Sequence, residues 1–95
     1  MEKGTIDFTG CEDYLDLHER IRIGLRLPEG YGGNWHAIWD SFFGITTVNE
    51  VLITGKNRAS AQMQPYIDKF ISVLSEFQEY CNTVPGWEFD YTVED

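Results

Sequence analysis

The sequence predicts an α/β fold built on a three-stranded parallel sheet. Three observations carry that reading: an alternating segment lies near each end of the chain, a continuous apolar run lies near its middle, and each interval between them holds enough helical material for a crossover.

Residues 5–8, Thr-Ile-Asp-Phe, alternate polar and apolar at period two, as a strand with one wet face does. Asp13 then precedes Tyr14, Leu17, His18, Ile21 and Leu25 at helical spacing, with Asp16 in the first turn, so Asp13 caps a helix over 14–25. Pro28 forbids its continuation. The stretch Leu27-Pro-Glu-Gly-Tyr-Gly-Gly-Asn34 holds three glycines in four positions and reads as an ordered turn or a loose loop. Asn34 is the next cap, Trp35, Ile38, Trp39 and Phe42 recur at i, i+3, i+4 and i+7, and Gly44 supplies a stop. A second helix over 35–43 follows.

Residues 48–54 contain the unbroken run Val51-Leu52-Ile53, which fits a strand covered on both faces and therefore the central one. Residues 56–63 suit a short helix, and Pro65 suits the first turn of the next. Ile67, Phe70, Ile71, Leu74, Phe77 and Cys81 keep helical spacing and predict a helix over 65–81. After Pro85-Gly86, residues 87–93 alternate with every apolar side chain on an odd position, a strand with one wet face. The predicted order is β-α-α-β-α-α-β, with 48–54 central, the helices packed against the sheet and residues 1–95 forming one domain. No internal repeat or linker interrupts it.

Composition narrows the function. The chain is 42% hydrophobic and 15% aromatic over 95 residues, enough to fill a packed core rather than leave a disordered acidic chain. Sixteen Asp and Glu oppose seven Lys and Arg, a net charge of -9, so the surface repels phosphate backbones and attracts basic partners. Nucleic acid is not the expected partner. The first residues carry no apolar signal core and the longest apolar runs are about three residues, so a cytoplasmic protein with no membrane association is expected. Cys11 and Cys81, seventy positions apart, are expected to be free thiols.

Little in the chain suggests catalysis. The Gly-rich loop lacks the Lys and Ser/Thr of a phosphate cradle, breaks the GxGxxG spacing at Trp35, and sits beside Glu29; it reads as a turn setting the angle of the second helix. His18 reads as a partly buried histidine with hydrogen-bonded ring nitrogens. His36 and Asp40 share an exposed strip at i, i+4 but have no nucleophile nearby in sequence, and the two histidines and two scattered cysteines have no metal-ligand spacing. No cofactor is expected. Phe43 is different, because a large aromatic on the exposed side of a helix leaves apolar area in water. With Trp39 at the edge of the buried face and Tyr31 in the preceding loop, it can surround Asp40 with aromatics, the composition of a protein–protein hot spot. The competing reading is that these rings simply complete the core. Glu76 and Glu79 read as an ordinary solvated face.

The segment Leu27-Pro28-Glu29-x-Tyr31-Gly32-x-Asn34-x-x-Ala37-x-Trp39-Asp40 resembles the central part of barstar-like proteins, inhibitors of barnase-type ribonucleases. Asp16-Leu17-His18 and the element order are also similar, while the half beyond about residue 55 matches by pattern alone. The resemblance implies a barstar-like fold whose second helix and preceding loop plug a ribonuclease active site. By position it implies Asp40 as the acid that mimics an RNA phosphate, Trp39 as its aromatic neighbour, Tyr31 and Asn34 as loop contacts, and Gly44 as the residue after the helix. Glu79, less well Glu76, takes the place of an acid on the last helix. His36 stands where the family prototype has a second acid, and Gly30 where it has a loop aromatic.

The expected function is inhibition of a basic ribonuclease by a non-enzymatic protein, in a 1:1 complex through Tyr31, Asn34, His36, Trp39, Asp40, Phe43, Gly44 and Glu79. The alternative is a regulatory or adaptor module of the same fold that binds a non-nuclease protein.

Overall fold

The computed structural model describes residues 2–31 and 33–94; Gly32, part of the glycine-rich loop and of the family-like segment, lies outside the described residues. Its sheet has three parallel strands in the order β1 (Lys3–Asp7), β2 (Glu50–Thr54), β3 (Asp90–Val93), so the apolar middle segment is the central strand as expected. Between them run α1 (Tyr14–Gly24), α2 (Trp35–Ser41) and α3 (Gln64–Cys81).

The register shows which face of the sheet is covered. Gly4, Val51 and Tyr91 align in one row and Ile6, Ile53 and Val93 in the next, and Ile6, Val51 and Ile53 join Leu17, Ile21, Ile67 and Leu74 of α1 and α3 in one buried cluster. The other face carries Thr5, Leu52 and Thr92 side by side. It stays partly wet, with Leu52 half-buried between two exposed threonines. The expectation that this strand is covered on both faces is thus corrected. A three-residue apolar run needs only its outer two members inside, and flanking side chains shield the third.

Strand limits shift for local reasons. β2 starts at Glu50 rather than 48, because Asn49 is used as a clasp: Glu2 N–H donates to Asn49 Oδ1 at 2.8 Å while Asn49 N–H donates to the Glu2 carbonyl at 3.0 Å. β1 correspondingly begins at Lys3, opposite Glu50. The last strand begins at Asp90 rather than 87, since Trp87 N–H closes a turn on the Val84 carbonyl at 3.2 Å, next to Gly86 with φ 86°. Trp87 is therefore outside the sheet.

Both predicted caps form. Asp13 accepts from Asp16 N–H and Asn34 from Ala37 N–H, each at 2.8 Å. α1 stops at Gly24, four residues before Pro28, by a hydrogen-bonded cap: Leu27 N–H reaches the Arg22 carbonyl at 2.9 Å and Arg26 N–H the Ile23 carbonyl at 3.1 Å. Arg26 takes φ 57° there, a place usually held by glycine. Nothing in residue type announced that cap. α1 also lies very close to β1: a Cβ on Gly4 would strike the Gly24 carbonyl oxygen, and one on Gly24 would strike Ile6.

The predicted short helix over 56–63 is instead two 3-10 turns, Lys56–Arg58 and Ala61–Met63, separated where Ala59 and Ser60 turn extended. α3 then buries Ile67, Phe70, Leu74 and Phe77, with Phe70 meeting Phe8 edge-on at 6.2 Å. Cys11 and Cys81 are free and buried, and burial raises both thiol pKa values. No helix among the described residues is long and apolar enough to cross a membrane.

Candidate protein-docking surface

α2 is shorter than predicted. It ends at Ser41, where its last turn tightens: Phe42 N–H bonds the Trp39 carbonyl at 3.2 Å and Phe43 N–H the Asp40 carbonyl at 3.0 Å. Phe43 thus belongs to the turn after the helix, and Gly44 completes that turn at φ 140°, which favours glycine. Ile38 and Ser41 anchor the inner face of α2, and Ser41 satisfies its hydroxyl on the Ile38 carbonyl at 2.6 Å. The helix is held from within.

Its outer face presents His36 and Asp40, both exposed and one turn apart. Among the described residues no cation lies within ion-pair distance of Asp40. The four ion pairs among the described residues lie elsewhere, three of them using the arginines of α1 and of the turn after it: Arg20 with Asp16, Arg22 with Glu19, Arg26 with Glu2. The fourth joins Lys56 to Asp68. No Lys or Arg occurs between residues 27 and 55 or between 70 and 95. The sequence therefore confines positive charge to β1, α1 and the turn after it, the first 3-10 turn and the first part of α3, and leaves α2 and the C-terminal part of α3 with acidic charges only.

Trp39 is half-buried and packs edge-on against Phe77 of α3 at 5.6 Å, with Phe43 at 5.6 Å and Tyr80 at 6.1 Å. It lines a groove of about 480 Å³ between α2 and α3, together with Asn34, Trp35, His36, Lys69, Val73 and Glu76. Glu76 therefore shares a groove with His36 and Trp39. Glu79 is exposed on the same helix and does not line that groove. The expected site residues are thus partly brought together, with Asn34, His36 and Trp39 in the groove, Asp40 beside it and Phe43 and Gly44 at the end of α2.

Tyr31 is set apart. It lines a separate depression of about 420 Å³ with Leu15, His18, Glu19, Arg22, Glu29, Gly30 and Gly33. Its hydroxyl lies 2.9 Å from His18 Nδ1 and 3.3 Å from the His18 carbonyl. Both contacts are satisfied when Nδ1–H donates to the hydroxyl and the hydroxyl donates to the carbonyl. Burial pushes the Tyr31 hydroxyl up to about 12, so it keeps the proton it donates. Only the ring is then free to meet a partner. The expectation that both His18 nitrogens are hydrogen-bonded needs correction, since Nε2 is buried with no partner among the described residues. The rings of Tyr14 at 4.4 Å and Trp35 at 5.0 Å surround the imidazole, and they leave little room for a polar group.

Two aromatics escaped the sequence reading. Tyr80 and Trp87 are exposed beside Phe43. Strand alternation puts Trp87 on the apolar side of residues 87–93, but the turn begun at Pro85-Gly86 includes Trp87 and leaves its ring exposed.

Among the described residues no group of His, Cys, Asp or Glu is placed to hold a metal ion. The arrangement offers carboxylates and rings, the chemistry of binding. A family model described as Barstar (barnase inhibitor) matches residues 1–93. The chain belongs to the barstar family. The segment that carries the family-like motif supplies the α2 surface, which presents the exposed carboxylate of Asp40 beside the half-buried ring of Trp39.

Proposed function

We propose that this barstar-family protein inhibits a basic ribonuclease by laying α2 and its flanking turns across the enzyme's active-site cleft. Asp40 takes the place of an RNA phosphate. The observation that supports this most directly is that Asp40 is exposed, has no cation within ion-pair distance among the described residues, and stands next to the half-buried ring of Trp39 on a cation-free stretch of chain. An arginine or lysine that normally holds RNA would find a carboxylate already oriented by a capped helix and would form a charge-assisted hydrogen bond with it. The rings exclude water around the contact and strengthen it.

His36 narrows the partner. An imidazole on this face cannot replace a second carboxylate opposite an arginine, so the enzyme best fitted to this surface carries one fewer cation, or a hydrogen-bond acceptor, opposite His36.

The test is an RNA-cleavage assay with barnase and with small basic ribonucleases captured from lysate, read with and without the protein and its Asp40→Ala variant. Inhibition that falls by about 10- to 100-fold in affinity on losing Asp40 is expected, the worth of a hydrogen bond to a charged group. Tight binding to a non-basic protein, indifferent to Asp40→Ala, would overturn the proposal in favour of an adaptor role.

A further inference from the structure

Phe43, Tyr80 and Trp87 come from three different parts of the chain and close a triangle. Their ring centroids are 5.4 Å apart for Phe43 and Tyr80, 5.6 Å for Phe43 and Trp87, and 6.0 Å for Tyr80 and Trp87. The planes are inclined by 51° to 72°, so no pair of the three is stacked face to face. Rings this close admit no ligand between them, and only their outer surface can meet one. That surface is ample: Phe43, Tyr80 and Trp87 are 41%, 40% and 43% exposed. Three large side chains wet together form a contiguous apolar patch, which marks a contact surface more often than isolated exposed residues do.

The surroundings define the occupant. Exposed Glu79 and Glu88 adjoin Tyr80 and Trp87 in the chain, and no Lys or Arg follows Lys69. The π faces therefore have no neighbouring cation from their own segment, while acceptors stand at the rim. Beside the triad a cleft of about 400 Å³ opens between the turn after α2 and the Gly86–Glu88 turn, floored by Phe42 and Phe77. A second copy of the chain is a poor match, because at a net charge of -9 it would bring another acidic rim to this one.

We propose that the triad is a second docking point for the partner and receives an arginine side chain of the same basic ribonuclease. This rests on the inhibitor reading above and names a further part of that interface. A planar guanidinium stacks on an indole and reaches carboxylates with its remaining donors, whereas lysine offers a compact ammonium that does the first less well. The aliphatic stem of the arginine lies along the apolar cleft.

The experiment compares wild type with Trp87→Ala and Trp87→Phe, the latter keeping a ring on Phe43 and Tyr80, after far-UV circular dichroism has verified that each is folded. Against barnase, Trp87→Ala is expected to weaken binding about tenfold and Trp87→Phe by less. Unchanged affinity in both, with Asp40→Ala still damaging, overturns the triad while leaving the inhibitor reading intact. If neither barnase nor a captured basic ribonuclease binds, the inhibitor reading loses its support and the triad is judged with peptides: hexa-arginine must shift the Trp87 indole N–H resonance more than hexa-lysine at equal concentration, in wild type and in Asp40→Ala alike. Equal or absent shifts overturn the proposal.

Discussion

His18 Nδ1 lies 2.9 Å from the Tyr31 hydroxyl, thirteen residues away, and so fastens α1 to the loop that leads into α2. Tyr31→Phe removes the oxygen and leaves the buried Nδ1 of His18 without its partner, while the His18 carbonyl keeps its place in the hydrogen-bond ladder of α1. A loss of about 1–3 kcal/mol is expected, read as a lower urea midpoint with an unchanged slope. A midpoint equal to wild type would mean that the bond is replaced by water.

The same histidine sets a pH dependence. Burial lowers the His18 pKa from the usual 6.5, so the folded state holds it neutral while the unfolded state charges it more readily. The unfolded chain then binds more protons as pH falls, and the stability that this group contributes is present above about pH 6.5 and lost as pH drops toward the folded-state value. Asp7, held low chiefly by a hydrogen bond from the Thr9 backbone, contributes stability that is likewise lost on acidification but in a lower window, as pH falls below its usual 3.8. Denaturant midpoints measured across this range should fall between neutral and mildly acidic pH in wild type and stay flatter there in His18→Gln.

Salt should separate steering from grip. All seven cations lie outside residues 27–55 and 70–95, and of them only Lys69 lines the α2–α3 groove, so a basic enzyme approaches α2 through a predominantly negative field. Raising ionic strength from about 0.05 to about 0.5 M shortens the Debye length severalfold. The association rate with the ribonuclease is expected to fall steeply while dissociation changes little. Stopped-flow measurement at both salts checks it.

His36→Asp would place a second carboxylate one turn before Asp40 on the exposed face, as in the family prototype. Tighter binding to barnase by about 1.5–3 kcal/mol is expected, one added charge-assisted hydrogen bond. The like charge at i, i+4 costs the free protein only a few tenths of a kcal/mol. Isothermal titration of both proteins reads the difference, and weaker binding by the variant would show that His36 itself contacts the enzyme.

Gly24→Ala tests the packing beneath the site. Its Cβ would strike Ile6 and lie 2.9 Å from the Thr5 carbonyl oxygen, at the point where α1 meets β1. The helix must move away or β1 must shift, at a cost of about 1–3 kcal/mol. Thermal unfolding should show a lower Tm, with little change in affinity for the ribonuclease per folded molecule.

Local signals settled a good part of this protein from residue order. Asp13 and Asn34 cap α1 and α2 where short-range hydrogen bonding requires, the spacing of Ile67 to Cys81 produces α3, and Val51 with Ile53 makes the middle strand. Asp40 and His36 on one exposed strip also followed, because their spacing is helical. Long-range placement decided the rest. Leu52 faces the side of the sheet that carries the exposed Thr5 and Thr92, opposite the buried row of Val51 and Ile53; Tyr31 turns its hydroxyl inward because His18 waits on α1; and Tyr80, Trp87 and Phe43 form one patch because two turns far apart in the chain end side by side. Periodicity reports which side of an element is apolar. What that side meets depends on residues many positions away, whose approach is set by the packing of the whole chain.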